Sequence, residues 1–363
     1  MRGRSARGAI IAVLLLGILI FGGVYYAWNT ATDIFRPVSS NVGKVIPVKI
    51  TSGESTAQIA DDLQNKGLIR NALAFRVWAR IKGLDTQLQA GGYDHLNTSM
   101  TISDIIDQLL NATPDVLFVT IPEGYRIEQI ANAFASVGLA KFNKQDFLNY
   151  AKHPAQFPDF NKYPVLKLIP HNDSMEGLLF PATYDIPVDG DARLVVNQML
   201  TAFDNYVQQN NLVAKAQANH LNEYQMVILA SLVQREIANN RDAAGVAGVY
   251  YNRAMNTIPN DTAGYLGSDP SVEYARDSIT PPQHYWLPFQ GFGKDVAPNS
   301  PWNTYVNQGL PPTPICSPGL ATLTGAASPI KGGFFYFLST KTGSIVYAKT
   351  YPEFQQLEQK YLQ

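Results

Sequence analysis

"IPVKITSGESTAQIADDLQNKGLI", residues 46–69, alternates apolar and polar side chains toward Gly53, then changes period so that Ile59 and Leu63 stand four apart. Alternation places one face of a strand against a core, and a four-residue step does the same for a helix. The segment therefore reads as strand, turn and helix, closed by Gly67. The same reading recurs in "LFVTIPEGYRIEQIANAFASVGLA", residues 117–140. Aligning Gly53 with Gly124 also aligns Val48 with Val119, Ile50 with Ile121, Ile59 with Ile130, Ala60 with Ala131 and Gly67 with Gly138. Such self-similarity at a constant offset marks an internal repeat, and its two periods make the region α+β.

Between the copies, "AFRVWARIKGLDTQLQAGGYDHLNTSMTISDIIDQLLNA" predicts a helix, a tyrosine-bearing strand and an amphipathic helix through Ile102, Ile105, Ile106 and Leu109. Residues 46–155 are thus expected to form a small strand-helix subdomain, either one unit or a pair, that packs against something else or binds glycan. Residues 156–363 are expected to form a larger α+β domain. There "SMEGLLFPATYDIP" breaks periodicity with Pro181 and Pro187, and Glu176 stands among apolar neighbours. Helices follow through Leu194, Val195, Met199 and Phe203, and again near Leu212 to His220. Toward the end, "FFYFLST" and "SIVYAKT" flank "KTG" as the arms of a hairpin.

The chain has 363 residues, with 46% hydrophobic and 16% charged, enough to bury real cores. Its 28 basic and 29 acidic residues leave a net charge of −1, so no broad basic field is available for a nucleic-acid backbone. A single cysteine, Cys316, rules out an intramolecular disulfide, and the five histidines show no ligand spacing. Neither a metal nor another cofactor is expected. "MRGRSAR" (1–7) precedes "GAIIAVLLLGILIFGGVYYAW" (8–28), a charge-free run long enough to span a bilayer and ending in Tyr25, Tyr26 and Trp28. This predicts a single N-terminal transmembrane helix with residues 1–7 cytoplasmic, rather than a cleaved signal peptide, and everything after Trp28 outside. Residues 29–45 read as a linker.

"ILASLVQREIANNRD", residues 228–242, predicts a helix apolar nearly all round, hence central to its domain, with Glu236 at the edge of that surface. Spacing leaves two readings open. Glu236 is either a surface residue paired with Arg235 or Arg241, or a carboxyl whose lost hydration raises its pKa and makes it a general acid. Asp242, Asp261, Asp269 and Asp277 are then available as a second carboxylate. Ser231 lacks a nucleophile elbow, and Cys316 has no recognisable histidine partner.

Several stretches carry a resemblance in one order along the chain: "IPEGYRIEQIA", "EGLLFPATY", "ILASLVQRE", "GSDPSV", "SPWNTY", "GLPPTPICSPG" and "YFLSTKTGSIVYAKTYPEF". Together they resemble the MltG family, also called YceG-like, of membrane-anchored endolytic murein transglycosylases. The resemblance covers nearly everything from Ile46 onward. It implies a YceG-like catalytic domain over 156–363 and likens residues 46–155 to a LysM-like subdomain. It further implies cleavage between N-acetylmuramic acid and N-acetylglucosamine in nascent peptidoglycan, leaving 1,6-anhydromuramyl ends and so limiting strand length. The family's catalytic glutamate falls on Glu236, and matching motifs nominate Ser268, Asp269, Asn303, Tyr305, Glu176 and Arg241 for substrate contact. Glycan strands are the implied partner, peptidoglycan synthases a further one, and the cell membrane the implied location, with the catalytic domain outside. Two positions depart from the family: Gln234, where an acid is frequent, and Ile237, where threonine or a small residue is common. The rival readings are a two-carboxylate muramidase and a non-catalytic peptidoglycan-binding scaffold.

Overall fold

A computed structural model of the chain describes residues 33–39, 43–51, 53–110, 116–170, 173–255 and 262–362. The backbone divides into two compact units, Met1–Asp115 and Val116–Gln363. In the first, the alternating segment forms β1 (Val48–Ile50), with Val48 and Ile50 buried and Lys49 exposed, as a strand with one covered face requires. It leads into α1 (Thr56–Asn65), started by a reciprocal pair in which the Ser55 hydroxyl accepts from the Gln58 amide and the Gln58 side chain accepts from the Ser55 amide. α2 (Ala72–Ile81), β2 (Gly91–Tyr93) and α3 (Ile102–Leu109) follow. β2 pairs antiparallel with β1, Val48 opposite Tyr93. Ile59, Leu63, Phe75, Tyr93, Ile105 and Leu109 meet in this unit's own core. The Tyr93 hydroxyl donates to the Gln89 and Leu109 carbonyls at 2.5 and 3.0 Å, so its polar tip is satisfied there.

The second unit opens with the second copy of the repeat, β3 (Val116–Thr120) and α4 (Ile127–Ser136). Matched glycines share a left-handed backbone, Gly53 and Gly124 at φ 92° and 80°, Gly67 and Gly138 at 73° and 82°. That conformation strains any residue with a Cβ, which accounts for glycine at these four places. The copies nevertheless lie in different units. β3 pairs antiparallel with β4 (Thr183–Pro187), Phe118 opposite Asp185, and α4 buries Ile127, Ile130 and Phe134 in the second core. The compact division falls after Asp115.

Around that core lie α5 (Lys144–Lys152), α6 (Ala192–Gln209), α7 (Leu212–Gln217), α8 (Glu223–Glu236), α9 (Ala243–Met255), α10 (Asp269–Ile279) and α11 (Leu320–Ala327). The hairpin β5 (Tyr336–Ser339) and β6 (Ile345–Ala348) pairs Tyr336 with Ala348, and α12 (Tyr351–Tyr361) follows it. α8 is buried at Tyr224 and continuously from Met226 to Val233, with α7, α9, α10 and α11 packed against it. The helix read as central is central, because a cylinder apolar on every side must be covered on every side.

The fold class is α+β, and the expected transmembrane helix does not stand as part of it. Among the described residues no helix is long and apolar enough to cross a membrane. Even the 18-residue α6 is apolar on one face only and carries Asn197, Gln198, Asp204 and Asn205 on its others, whereas a span needs about 20 predominantly apolar residues. Residues 1–7 and the run over 8–28 lie outside the described residues.

Candidate active site

Glu236 is the last residue of α8. The helix begins with a reciprocal Asn222–Gln225 cap, is clamped by its neighbours, and ends where Ile237 adopts extended backbone (φ −102°, ψ 138°). The Ile237 amide still donates to the Val233 carbonyl at 3.2 Å, and its side chain packs on the core. The carboxyl thus projects from a rigid support at the point where the chain turns away. Arg235 lies over the Trp286 ring at 4.3 Å, and Arg241 sits on an exposed turn with its backbone amide donating to Asn239. The bonds to Glu236 come from hydroxyls instead: Tyr250 Oη donates to its Oε1 at 2.5 Å and Ser268 Oγ donates to the same oxygen at 3.3 Å.

Burial pushes the Glu236 carboxyl above the ordinary glutamate range. The hydrogen bond from Tyr250 pulls it back, the Asp269 charge adds to the rise, and Ser268 and the charge of Arg253 oppose it. Tyr250, on α9, is itself buried, and burial followed by the Glu236 charge holds its hydroxyl well above the usual tyrosine range. Tyr250 therefore stays protonated and remains a donor.

Ser268 is aimed by two loops. Gly267, at φ 58°, makes the left-handed turn before it, the Ser268 amide donates to Thr304 Oγ1 at 2.9 Å, and Ser271 Oγ donates to the Ser268 carbonyl at 2.7 Å. Asp269 starts α10 and accepts from Tyr305 Oη at 2.5 Å. Asn303 is fully buried: its amide donates to the Gly293 and Val296 carbonyls and its Oδ1 accepts from the Tyr305 amide at 2.9 Å. It braces the loop that presents Tyr305 and faces no open space.

Of the residues nominated from sequence, Ser268, Asp269 and Tyr305 gather around Glu236, whereas Glu176 and Arg241 do not. Glu176, 1% exposed, lines a separate cavity of about 320 Å³ with Arg126 and Asp277, where it accepts the Ile127 amide at the start of α4. Burial holds its carboxyl well above the ordinary range. Ser231 is also structural, since its hydroxyl donates to the Ile228 carbonyl and accepts the Ile315 amide. Cys316 is buried, and burial pushes its thiol up. Sequence reasoning missed Tyr250 and Arg253. Their signal was a tyrosine and an arginine at positions i and i+3 near the end of "AAGVAGVYYNRAM", which places both on one face of α9.

A buried helix that ends in a carboxyl, with two hydroxyls on one oxygen and the acid of a neighbouring helix start nearby, can hold a proton and deliver it. The chain belongs to the YceG-like family, whose profile matches residues 48–360. It is 31% identical over 355 residues to the endolytic murein transglycosylase of Bacillus subtilis (strain 168), covering 95% of this chain and 91% of that one. It is 30% identical over 364 residues to the endolytic murein transglycosylase of Streptococcus pneumoniae serotype 2 (strain D39), covering 93% of this chain but 62% of that longer one. A crystal structure of a YceG-like protein from Listeria monocytogenes matches 87% of this chain and all of its own, at 29% identity and a TM-score of 0.54.

Proposed function

We propose that the chain is an endolytic murein transglycosylase in which Glu236 is the acid and then the base. It cuts the β-1,4 bond from N-acetylmuramic acid to N-acetylglucosamine within a glycan strand. The observation that carries this reading is that both hydrogen bonds to Glu236 land on Oε1, leaving Oε2 to bear the proton that burial favours. Oε2 delivers that proton to the glycosidic oxygen as the C1–O4 bond breaks. The resulting carboxylate accepts the proton of the C6 hydroxyl, whose oxygen closes onto C1 as the 1,6-anhydro ring forms, and Glu236 ends as it began. The nucleophile is tethered to the sugar, so attack is intramolecular and needs neither a water nor a second carboxylate. Polymerised murein lies outside the cytoplasm, which puts the working domain there and puts the enzymes that polymerise glycan strands within reach as partners.

Full-length chain incubated with uncrosslinked glycan strands should release fragments whose muramyl ends are lighter by one water than hydrolysis products, read by mass spectrometry. Glu236→Gln should lower the rate about 10²- to 10⁴-fold, the usual worth of a positioned acid and base. Cutting by Glu236→Gln at the wild-type rate would remove Glu236 from this role. A hydrolytic muramidase is the second reading, favoured by Asp269, whose charge acts on Glu236 from the neighbouring helix start. Reducing ends in the digest would select it.

A further inference from the structure

A cavity of about 370 Å³ adjoins the Glu236 cluster, lined by Arg253, Gly267, Tyr265, Tyr305, Tyr336 and Tyr351. Three of these belong to the machinery around Glu236. Gly267 precedes the serine that touches it, Tyr305 donates to Asp269, and Arg253 lies on the same face of α9 as Tyr250. The others come from elsewhere in the unit: Tyr265 from the loop before α10, Tyr336 from β5 and Tyr351 from α12.

We propose that this cavity is a saccharide subsite, which holds the N-acetylated sugar next to the cut bond by stacking it on tyrosine rings. The proposal rests on the reading of Glu236 as the acid. Tyr265, Tyr305 and Tyr351 are 38%, 38% and 48% exposed, and because the Tyr351 ring packs on Tyr336 and Phe354, the ring surface offered to a ligand is chiefly that of Tyr265 and Tyr305. A ring face takes the C–H face of a pyranose, which is apolar, while the hydroxyls and acetamido group at the sugar's rim need hydrogen-bond partners. Tyr305 supplies one: its proton is committed to Asp269, so its oxygen is left as an acceptor. Its ring is also held in place. An edge of the Tyr305 ring packs so closely on Gly293 that a Cβ there would lie 2.4 Å from it. Arg253 forms the wall between subsite and acid. Its guanidinium lies over the Tyr336 ring at 5.0 Å and donates to the Phe335 and Leu266 carbonyls, so the hairpin and the loop before α10 are tied together. The volume lies in the lower part of the range for small-ligand sites, roughly 300–1,000 Å³.

Steady-state cutting of glycan strands by the full chain tests this, with Tyr265→Ala and Tyr265→Phe compared at matched thermal stability. The expected result is a KM raised about tenfold in Tyr265→Ala with kcat little changed, and a KM near wild type in Tyr265→Phe, which keeps the ring. An unchanged KM in Tyr265→Ala overturns the subsite, and equal loss in both variants overturns stacking. Equilibrium binding of strands to Glu236→Gln, with and without Tyr265→Ala, separates the two claims. A Glu236→Gln protein that still cuts defeats the acid assignment, while the affinity change on Tyr265→Ala reports on the subsite alone.

Discussion

A carboxyl donates a proton at neutral pH only when its charged form is held at a disadvantage, and around Glu236 opposing influences set how large that disadvantage is. Burial raises it and the Tyr250 hydroxyl lowers it. Removing the hydroxyl therefore has a sign. Tyr250→Phe should raise the Glu236 pKa, so the alkaline limb of the pH–rate profile, where the acid form is lost, moves to higher pH. The rate at the optimum should fall about tenfold, the worth of a hydrogen bond to an ionised group, because the carboxyl loses the bond that orients it. A pH–rate profile of each protein reads both effects, and a limb that moves to lower pH would contradict the assigned polarity. Ile237 has a plain reading at this scale: it packs on the core and takes extended backbone, so it ends α8 without touching the acid oxygens by any hydrogen bond.

The helix end that carries Glu236 is pinned by its other face. Gln234 Oε1 accepts from the Gly319 amide at 2.8 Å and from Thr322 Oγ1 at 2.9 Å, while its Nε2 donates to Glu123 Oε2 at 3.2 Å. One amide thereby ties α8 to the start of α11 and to the turn after β3. A carboxylate at 234 would keep the two accepting bonds but face Glu123 with a like charge. Gln234→Glu should destabilise the protein by about 1 kcal/mol at pH 7, seen as a lower urea midpoint, and a second change, Glu123→Gln, should restore most of it. The departure at Gln234 is thus matched by its partner rather than by the acid two residues on.

Across the second unit, acids placed against the core make stability depend on pH. Glu223, at the start of α8, is pushed up to about 7 by burial and then by the Asp204 charge. Its folded pKa lies above the unfolded one, so the stability it contributes is complete below about pH 4.5 and is lost as pH rises through about 7. Wild type should therefore lose about 2 kcal/mol relative to Glu223→Gln between those limits, measured by urea unfolding at a series of pH values. Glu176 acts in the same direction, since its burial also favours the protonated form.

Much of this was written in the chain itself. The repeat with its paired glycines, the reciprocal caps at Ser55 and Asn222, the hairpin around "KTG" and the covered helix ending in Glu236 all follow from local period and turn chemistry, which need only near neighbours. The tertiary structure alone decided that the two copies part company, because β3 finds its partner in β4, more than sixty residues later, where Pro181 and Pro187 hide a strand. It also decided which nominated residues meet. Glu236, Ser268 and Tyr305, together with Tyr250, which was not nominated, come from the end of one helix, the middle of another and two loops, and periodicity states which face of an element is buried but not which other face it meets. Asn303 and Glu176 were found by motif, yet their burial assigns them to bracing a loop and capping a helix, because a polar group without water must spend its hydrogen bonds on the protein around it.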